Sequence, residues 1–335
     1  MTSDRPAGDY CEEMLAAAAV SQSTSDPLSG LLVGEQPEPE ARGDWVIVDV
    51  VMASLNHHDV WSLKGVGLPA DRLPMILGCD AAGTDPDGNE VLVHAVIPSP
   101  GWLGDETLDP RRTLLSELHP GTLAQRVAVP AANLVPKPAG LSWEQAACLP
   151  TAWLTAYRML FTNAAVHPGD TVLVQGAAGG VATALIQLGS AAGLRVWATS
   201  RDGAKRDLAL TLGADAAYET GARLPERVDA VLETVGAATW SHSVNALRPG
   251  GTIVISGATS GDAPAKAELT KIFFKQLRVI GSTMGTRDEL GRLARFVVAK
   301  GIEPRIDSVL ALADAREGFA KLADGAVSGK IVIHA

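Results

Sequence analysis

Apolar positions follow two rhythms along this chain, and the first gives way to the second near residue 141. Before that point the apolar runs are short and strand-like, beginning near Met14. WVIVDVVMA at 45–53 is rich in β-branched residues and is preceded by the turn residues RGD. DPDGN at 85–89 marks a tight turn between LGCDAAGT and the strand EVLVHAV, and QRVAVP at 125–130 reads as another strand. Proline and glycine punctuate residues 98–121 without any period, which predicts a long surface loop.

Past residue 141 the period lengthens. Ser142 followed by Gln145 is a capping-box pattern, predicting a helix through Cys148 that Pro150 ends, with a second helix over 151–160. Five apolar runs follow: TVLVQ (171–175), RVWAT (195–199), VDAVLE (228–233), TIVIS (252–256) and LRVIG (277–281). Between them, Val181, Leu185, Leu188 and Ala192 share one helical face; Ala204, Leu208 and Leu212 share another, stopped by Gly213. Strands alternating with helices at this spacing predict βαβ units and a parallel sheet. Two amphipathic helices come next. One covers 287–300 with Leu290, Leu293 and Val297 inward; the other starts at Asp314, with Glu317 completing a cap and Phe319 and Leu322 buried. GKIVIHA closes the chain as a strand.

A length of 335 residues fits two domains, and 47% hydrophobic residues suffice for real cores. The net charge of −10 argues against a nucleic-acid or anionic-membrane partner. Cys11, Cys79 and Cys148 are scattered and form no CxxC pair, which excludes a disulfide scaffold or a four-cysteine zinc lobe. The start, MTSDRPAGDYCEEM, lacks the basic flank and long apolar core of a secretory signal, and no run approaches a membrane span. A soluble, cytoplasmic protein is expected, with residues 1–13 as a flexible extension.

The strand TVLVQ runs directly into GAAGGVA at 176–182, which opens a helix, so a dinucleotide fingerprint stands in its proper context. Gly176 makes the turn, while Gly179 and Gly180 let the backbone approach a pyrophosphate seated on the helix N-terminus beside Val181. Ala182 is the small residue at the helix–strand contact. An NAD site would place a carboxylate about twenty residues on. Ser200 stands there instead, followed by Arg201 and, nearby, Lys205 and Arg206, all donors to a 2′-phosphate. NADPH is therefore the expected cofactor.

HPGDTVLVQGAAGGV, LGAD at 212–215, VDAVLETVG, LRPGGTIVISG and the closing GKIV resemble the medium-chain dehydrogenase/reductase superfamily over nearly all of 14–335. The resemblance implies a GroES-like, partly open β-barrel catalytic domain made from 14–150 and 286–335. A Rossmann doubly wound parallel sheet, residues 151–285, would bind the cofactor, with the active site in the cleft between them. It also implies a homodimer or homotetramer joined through the coenzyme-domain sheet, with FFKQLRVIG as the pairing segment.

Zinc-dependent members carry a cysteine where this chain has Asn56, a His-Glu pair at Cys79-Asp80, and a second cysteine near Thr151. Asn56 and Thr151 are poor zinc ligands, so the chain is similar to the zinc-free quinone-reductase-like branch, with no metal expected. Hydride would then pass to a quinone or α,β-unsaturated carbonyl, whose conjugation delocalises the developing charge. Asn56 is the expected donor, His57 or His58 would supply a proton or polarise a carbonyl, and Asp59 would orient one of them. Thr155, Gly257, Ala258, Thr259, Ser282, Thr283, Met284 and Lys330 resemble the family's cofactor contacts, and Trp61 and Trp153 are candidates for the pocket wall. Two rival readings stand. One is a metal-dependent alcohol dehydrogenase in which a histidine joins Cys79 and Asp80; the other is a weakly catalytic NADPH-binding protein.

Overall fold

The computed structural model describes residues 12–335, so the extension expected at the N-terminus lies, except for Glu12 and Glu13, outside the described residues. Glu13 already opens a strand, Glu13–Ala19, that pairs antiparallel with Leu31–Pro37 and at its far end with Met75–Ile76.

The ten-residue strand Trp45–Ser54 is the axis of the barrel-like sheet. Its first half pairs with Arg126–Pro130 and its second half with Asp80–Thr84. On the other side lies Lys330–His334, which also pairs parallel with Ile306–Ala311. A strand from the first part of the chain and one from its last residues thus meet in one sheet. Its core mixes Val48, Leu63, Leu77 and Val93 with Leu312, Phe319, Ile331 and Ile333.

The second sheet has six parallel strands in the order Ala216–Tyr218, Arg195–Thr199, Thr171–Gln175, Val228–Glu233, Leu247–Ile255, Arg278–Gly281. Every residue of Thr171–Gln175 is buried, as an apolar strand covered on both faces requires. Strand order reverses at this strand, which places a ligand crevice at its carboxyl end. Together the two sheets form the two-domain α/β fold expected: a GroES-like barrel and a doubly wound parallel sheet.

Several local expectations change. Pro150 does not end the helix: Trp143–Ala147 passes into a π-helical turn, Leu149–Trp153, then Leu154–Tyr157 and a second π turn, Arg158–Ala164. Proline sits at the start of the first π turn, where the N–H it lacks would have no helical partner. The run stops at Ala165, whose φ of 53° is left-handed. In helix Gly203–Thr211 it is Ala209 that is buried, while Ala204 is exposed. Helix Ala315–Ala323 grows out of a 3-10 turn, so Asp314 makes no side-chain cap and Glu317 closes no box. Strands Leu31–Pro37 and Ala216–Tyr218 and helix His57–Leu63 were not expected. Residues 98–121 are mostly irregular, yet Thr107, Asp109 and Ser116 are buried, so this loop is not wholly superficial. Among the described residues no helix is long and apolar enough to cross a membrane.

Candidate active site

A cleft of about 750 Å³ opens between the two sheets, bounded by the ends of both. Its barrel wall carries Asn56, His57, His58 and Trp61; its other wall carries Gly176, Gly179, Gly180 and Val181. Residues 98–121 contribute Thr107, Arg112, Thr113, Leu114, Glu117 and Leu118, none of which any period in the sequence marked. Trp153 is fully buried and belongs to the core rather than the pocket wall, whereas Trp61 stands in the cleft.

Asn56 precedes helix His57–Leu63, and its backbone N–H donates to Asp59 Oδ2 at 2.7 Å. An Asn with an acidic residue three positions on is a capping signal, which marks this short helix in the sequence. The Asp59 N–H in turn donates to the Asn56 backbone carbonyl at 3.0 Å, and the Asn56 side chain reaches across to two further partners. Lys330 Nζ donates to Asn56 Oδ1 at 2.6 Å, to Asp80 Oδ2 at 2.9 Å and to the Leu55 carbonyl at 2.7 Å. Asn56 Nδ2 donates to Asp80 Oδ2 at 2.8 Å. Sheet register explains the meeting. Val332 lies opposite Ser54 in an antiparallel pair, so continuing both strands by two residues sets Lys330 against Asn56, while Asp80 flanks Ser54 on its other side.

The two histidines differ. His57 lies open on the cleft wall, its ring 6.4 Å from that of Trp61, and lost hydration in the cleft, with Lys330 and Lys64 nearby, holds its pKa below the ordinary value. His58 is tied at both nitrogens: Nε2 to Glu117 Oε1 at 2.8 Å and Nδ1 to Cys79 Sγ at 3.6 Å. Burial opposes its charge, but Cys79, Glu117 and Asp59 outweigh burial and hold its pKa well above the usual value. Asp59 does not touch a histidine nitrogen by hydrogen bond. Its oxygens take the backbone N–H groups of Asn56 and Gly78, and burial raises its pKa to about 6.

On the opposite wall Gly176 adopts a φ of +91°, a left-handed turn, and Gly179 begins helix Gly180–Ala191. A Cβ at Gly179 would meet nothing within 4 Å, so the space above it is open. Thr155, Gly257, Thr259, Thr283 and Met284 reach the cleft; Ala258 and Ser282 stand beside it without lining it. Ser200 ends the strand Arg195–Thr199, Arg201 is exposed, and Lys205 lines the rim with Nζ 3.2 Å from the Gly325 carbonyl. Arg206 donates to the Ser200 carbonyl. Asp202, the carboxylate next to Arg201, caps helix Gly203–Thr211 by accepting from Ala204 and Lys205 N–H groups. The crevice therefore fits a dinucleotide: an open glycine approach, a helix N-terminus and a cationic rim.

The positions at which zinc-dependent relatives carry ligands do not fit a metal. Asn56 and Asp80 are bonded to the Lys330 ammonium, and Thr151 offers a neutral hydroxyl. Cys79 donates its thiol to the Leu115 carbonyl, and burial raises its pKa, against the thiolate a metal needs. Among the described residues one other group has metal-competent atoms, His58, Asp59 and Cys79, within 4.8 Å of one another. The histidine that meets Cys79 is thus His58, joined by Asp59 and not by Asp80.

Residues 180–299 match the model of the zinc-binding dehydrogenase family, and residues 42–139 match that of the alcohol dehydrogenase GroES-like domain. The chain is 27% identical to the acryloyl-coenzyme A reductase of Sulfurisphaera tokodaii over 92% of this chain and 97% of the relative. It is 28% identical to the crotonyl-CoA reductase of Streptomyces avermitilis over 89% and 80% respectively. Among solved structures it superposes on an NAD-dependent alcohol dehydrogenase with a TM-score of 0.88 and 34% identity, covering 96% of this chain and 100% of that one. A 2-octenoyl-CoA carboxylase reductase, in complex with NADP and 2-octenoyl-CoA, gives a TM-score of 0.86 at 25% identity over 98% and 88%.

Proposed function

The chain belongs to the medium-chain dehydrogenase/reductase superfamily, and from that premise we propose that it is a zinc-independent, NADPH-dependent reductase of α,β-unsaturated carbonyl compounds. It is an oxidoreductase of the medium-chain reductase type. Enoyl thioesters are the first substrate class to test, in keeping with the names of its relatives, and quinones the second. One observation carries the reading: beside a crevice fit for a dinucleotide, Asn56 and Asp80 at the zinc positions are bonded to the Lys330 ammonium, and the Cys79 thiol is given to a backbone carbonyl. With no metal to hold an alkoxide, the acceptor must carry its own charge, which a conjugated carbonyl does.

NADPH, when bound, supplies a hydride. The protein's part is to place the carbonyl oxygen of the acceptor against Asn56 and His57. Asn56 Nδ2 keeps one N–H beyond that given to Asp80, and His57, neutral because its pKa is lowered, offers a ring N–H without losing a charge to the field of Lys330. As hydride reaches the β-carbon, negative charge develops on that oxygen and these donors stabilise it. His57 is open to solvent and relays the proton taken up by the α-carbon, completing a saturated product.

NADPH is favoured over NADH because Asp202 is committed to a helix cap, while Ser200 and Arg201 follow the strand Arg195–Thr199 and Lys205 lines the rim of the cleft. The NAD-dependent alcohol dehydrogenase among the similar structures, and the cluster of His58, Asp59 and Cys79, favour the metal-dependent alternative. Rates of NADPH oxidation with crotonyl-CoA, a benzoquinone and a simple ketone, before and after chelation, decide between them alongside zinc analysis of the untreated protein. Turnover of the enoyl thioester, insensitive to chelation, is expected. Stoichiometric zinc with oxidation of simple alcohols would overturn the reading; tight NADPH binding without any turnover would point to a binding protein.

Self-association belongs to the same reading. Strand Arg278–Gly281 is one of the two outer strands of the six-stranded sheet, and beside it Phe273 and Phe274 are 62% and 75% exposed. An open edge flanked by exposed aromatics suits pairing with a second copy. Sedimentation velocity is expected to give a dimer or tetramer, and Phe274→Glu to release monomer; a wild-type monomer would remove this inference.

A further inference from the structure

We infer that Lys330 is a positioning residue: its ammonium is the resident cation of the residues standing at the family's zinc positions, and it aims Asn56 at the substrate. This role for Lys330 rests on Asn56 being the donor in the proposed reaction.

Lys330 is 2% exposed and Asp80 is fully buried. The three ammonium hydrogens have three acceptors: Leu55 carbonyl, Asn56 Oδ1 and Asp80 Oδ2. None is left for the cofactor, the contact that the family resemblance implies for this residue. An ammonium only donates and a carboxylate only accepts, so the Asn56 amide has a single consistent orientation, with Oδ1 on Lys330 and Nδ2 on Asp80. That fixes the rotamer and the amide plane, and leaves the second Nδ2 hydrogen as the donor for the cleft, which Asn56 lines. Replacing a metal by a side-chain cation keeps the buried Asp80 compensated while giving up a Lewis acid. A lysine stem also packs: its Cδ lies where a Cβ on Gly180 would come within 2.9 Å, so the same side chain abuts the helix start of the cofactor crevice.

The test is a cycle between Lys330→Met/Asp80→Asn, which removes both charges together, and Asn56→Ala, with kcat and the KM for NADPH read on crotonyl-CoA. If Lys330 acts through Asn56, the charge-free pair lowers kcat about tenfold or more and leaves the NADPH KM within about twofold. Added to Asn56→Ala, it costs nothing further, a non-additivity that a merely structural role would not produce. A raised NADPH KM with unchanged kcat would make Lys330 a cofactor contact and overturn the inference, as would additive losses. Unchanged kcat in Asn56→Ala would instead sink the donor reading itself. Should the charge-free pair not fold, Lys330→Gln, which still reaches Asp80 with an amide, is read on the same two constants with the same decision.

Discussion

Gly179→Val is expected to leave the fold intact and to abolish useful dinucleotide binding. Gly179 has φ −67° and ψ 164°, an extended conformation that valine adopts without strain, and its Cβ would touch nothing within 4 Å. The new side chain would instead fill the space above the start of helix Gly180–Ala191, where a pyrophosphate must approach the backbone. A rise in the NADPH Kd of about 100-fold, worth about 2.7 kcal/mol, is expected by fluorescence titration, with the melting temperature nearly unchanged. Gly180→Val makes the contrast, since its Cβ would meet Lys330 Cδ at 2.9 Å and Ala152 Cβ at 3.3 Å, so it should destabilise as well. Undiminished NADPH affinity in Gly179→Val would mean that the crevice is not the cofactor site.

Arg158→Met should produce the largest loss of stability. Arg158, 7% exposed, sits in the π turn Arg158–Ala164 and donates to Glu289 Oε2 at 2.8 Å and to Asp105 Oδ2. Glu289 is 3% exposed and also closes the capping box of helix Arg287–Lys300 through Thr286. Asp105 anchors the loop over 98–121 that supplies one side of the cleft. Removing the guanidinium leaves a buried carboxylate without its cation, a change that costs about 3–5 kcal/mol. Chemical denaturation reads it, and Arg158→Met/Glu289→Gln should recover part of the loss because the buried carboxylate is then neutral and only the partly exposed Asp105 is left without its cation. A loss below about 1 kcal/mol would show the pair to be no better than a surface bridge.

Much of the molecule is legible before folding. The glycine turn at 176–182 and the alternation from 171 to 281 are local signals: a backbone that needs glycine, and apolar periods that only one element type satisfies. The capping pair of Ser142 with Gln145 is local in the same way, and it forms. Where local signals mislead, a neighbouring element has intervened. Pro150 reads as a stop but is absorbed by a π turn, and Asp314 with Glu317 reads as a cap that a preceding 3-10 turn makes unnecessary. The loop over 98–121 has no period at all, so nothing marked Glu117 as the partner of His58.

What the sequence by itself determined is therefore the fold class, the glycine turn of the crevice, and Asn56, His57 and His58 as part of one wall of the cleft, with Asp59 buried behind them. Tertiary structure alone decided which groups in that wall meet. Asn56, Asp80 and Lys330 come together because antiparallel register sets the last strand against the axis of the barrel, and His58 is bound to Glu117, 59 residues away. Periodicity states which face a residue takes, but partners are chosen by strand register and loop path, quantities that arise only when distant segments pack.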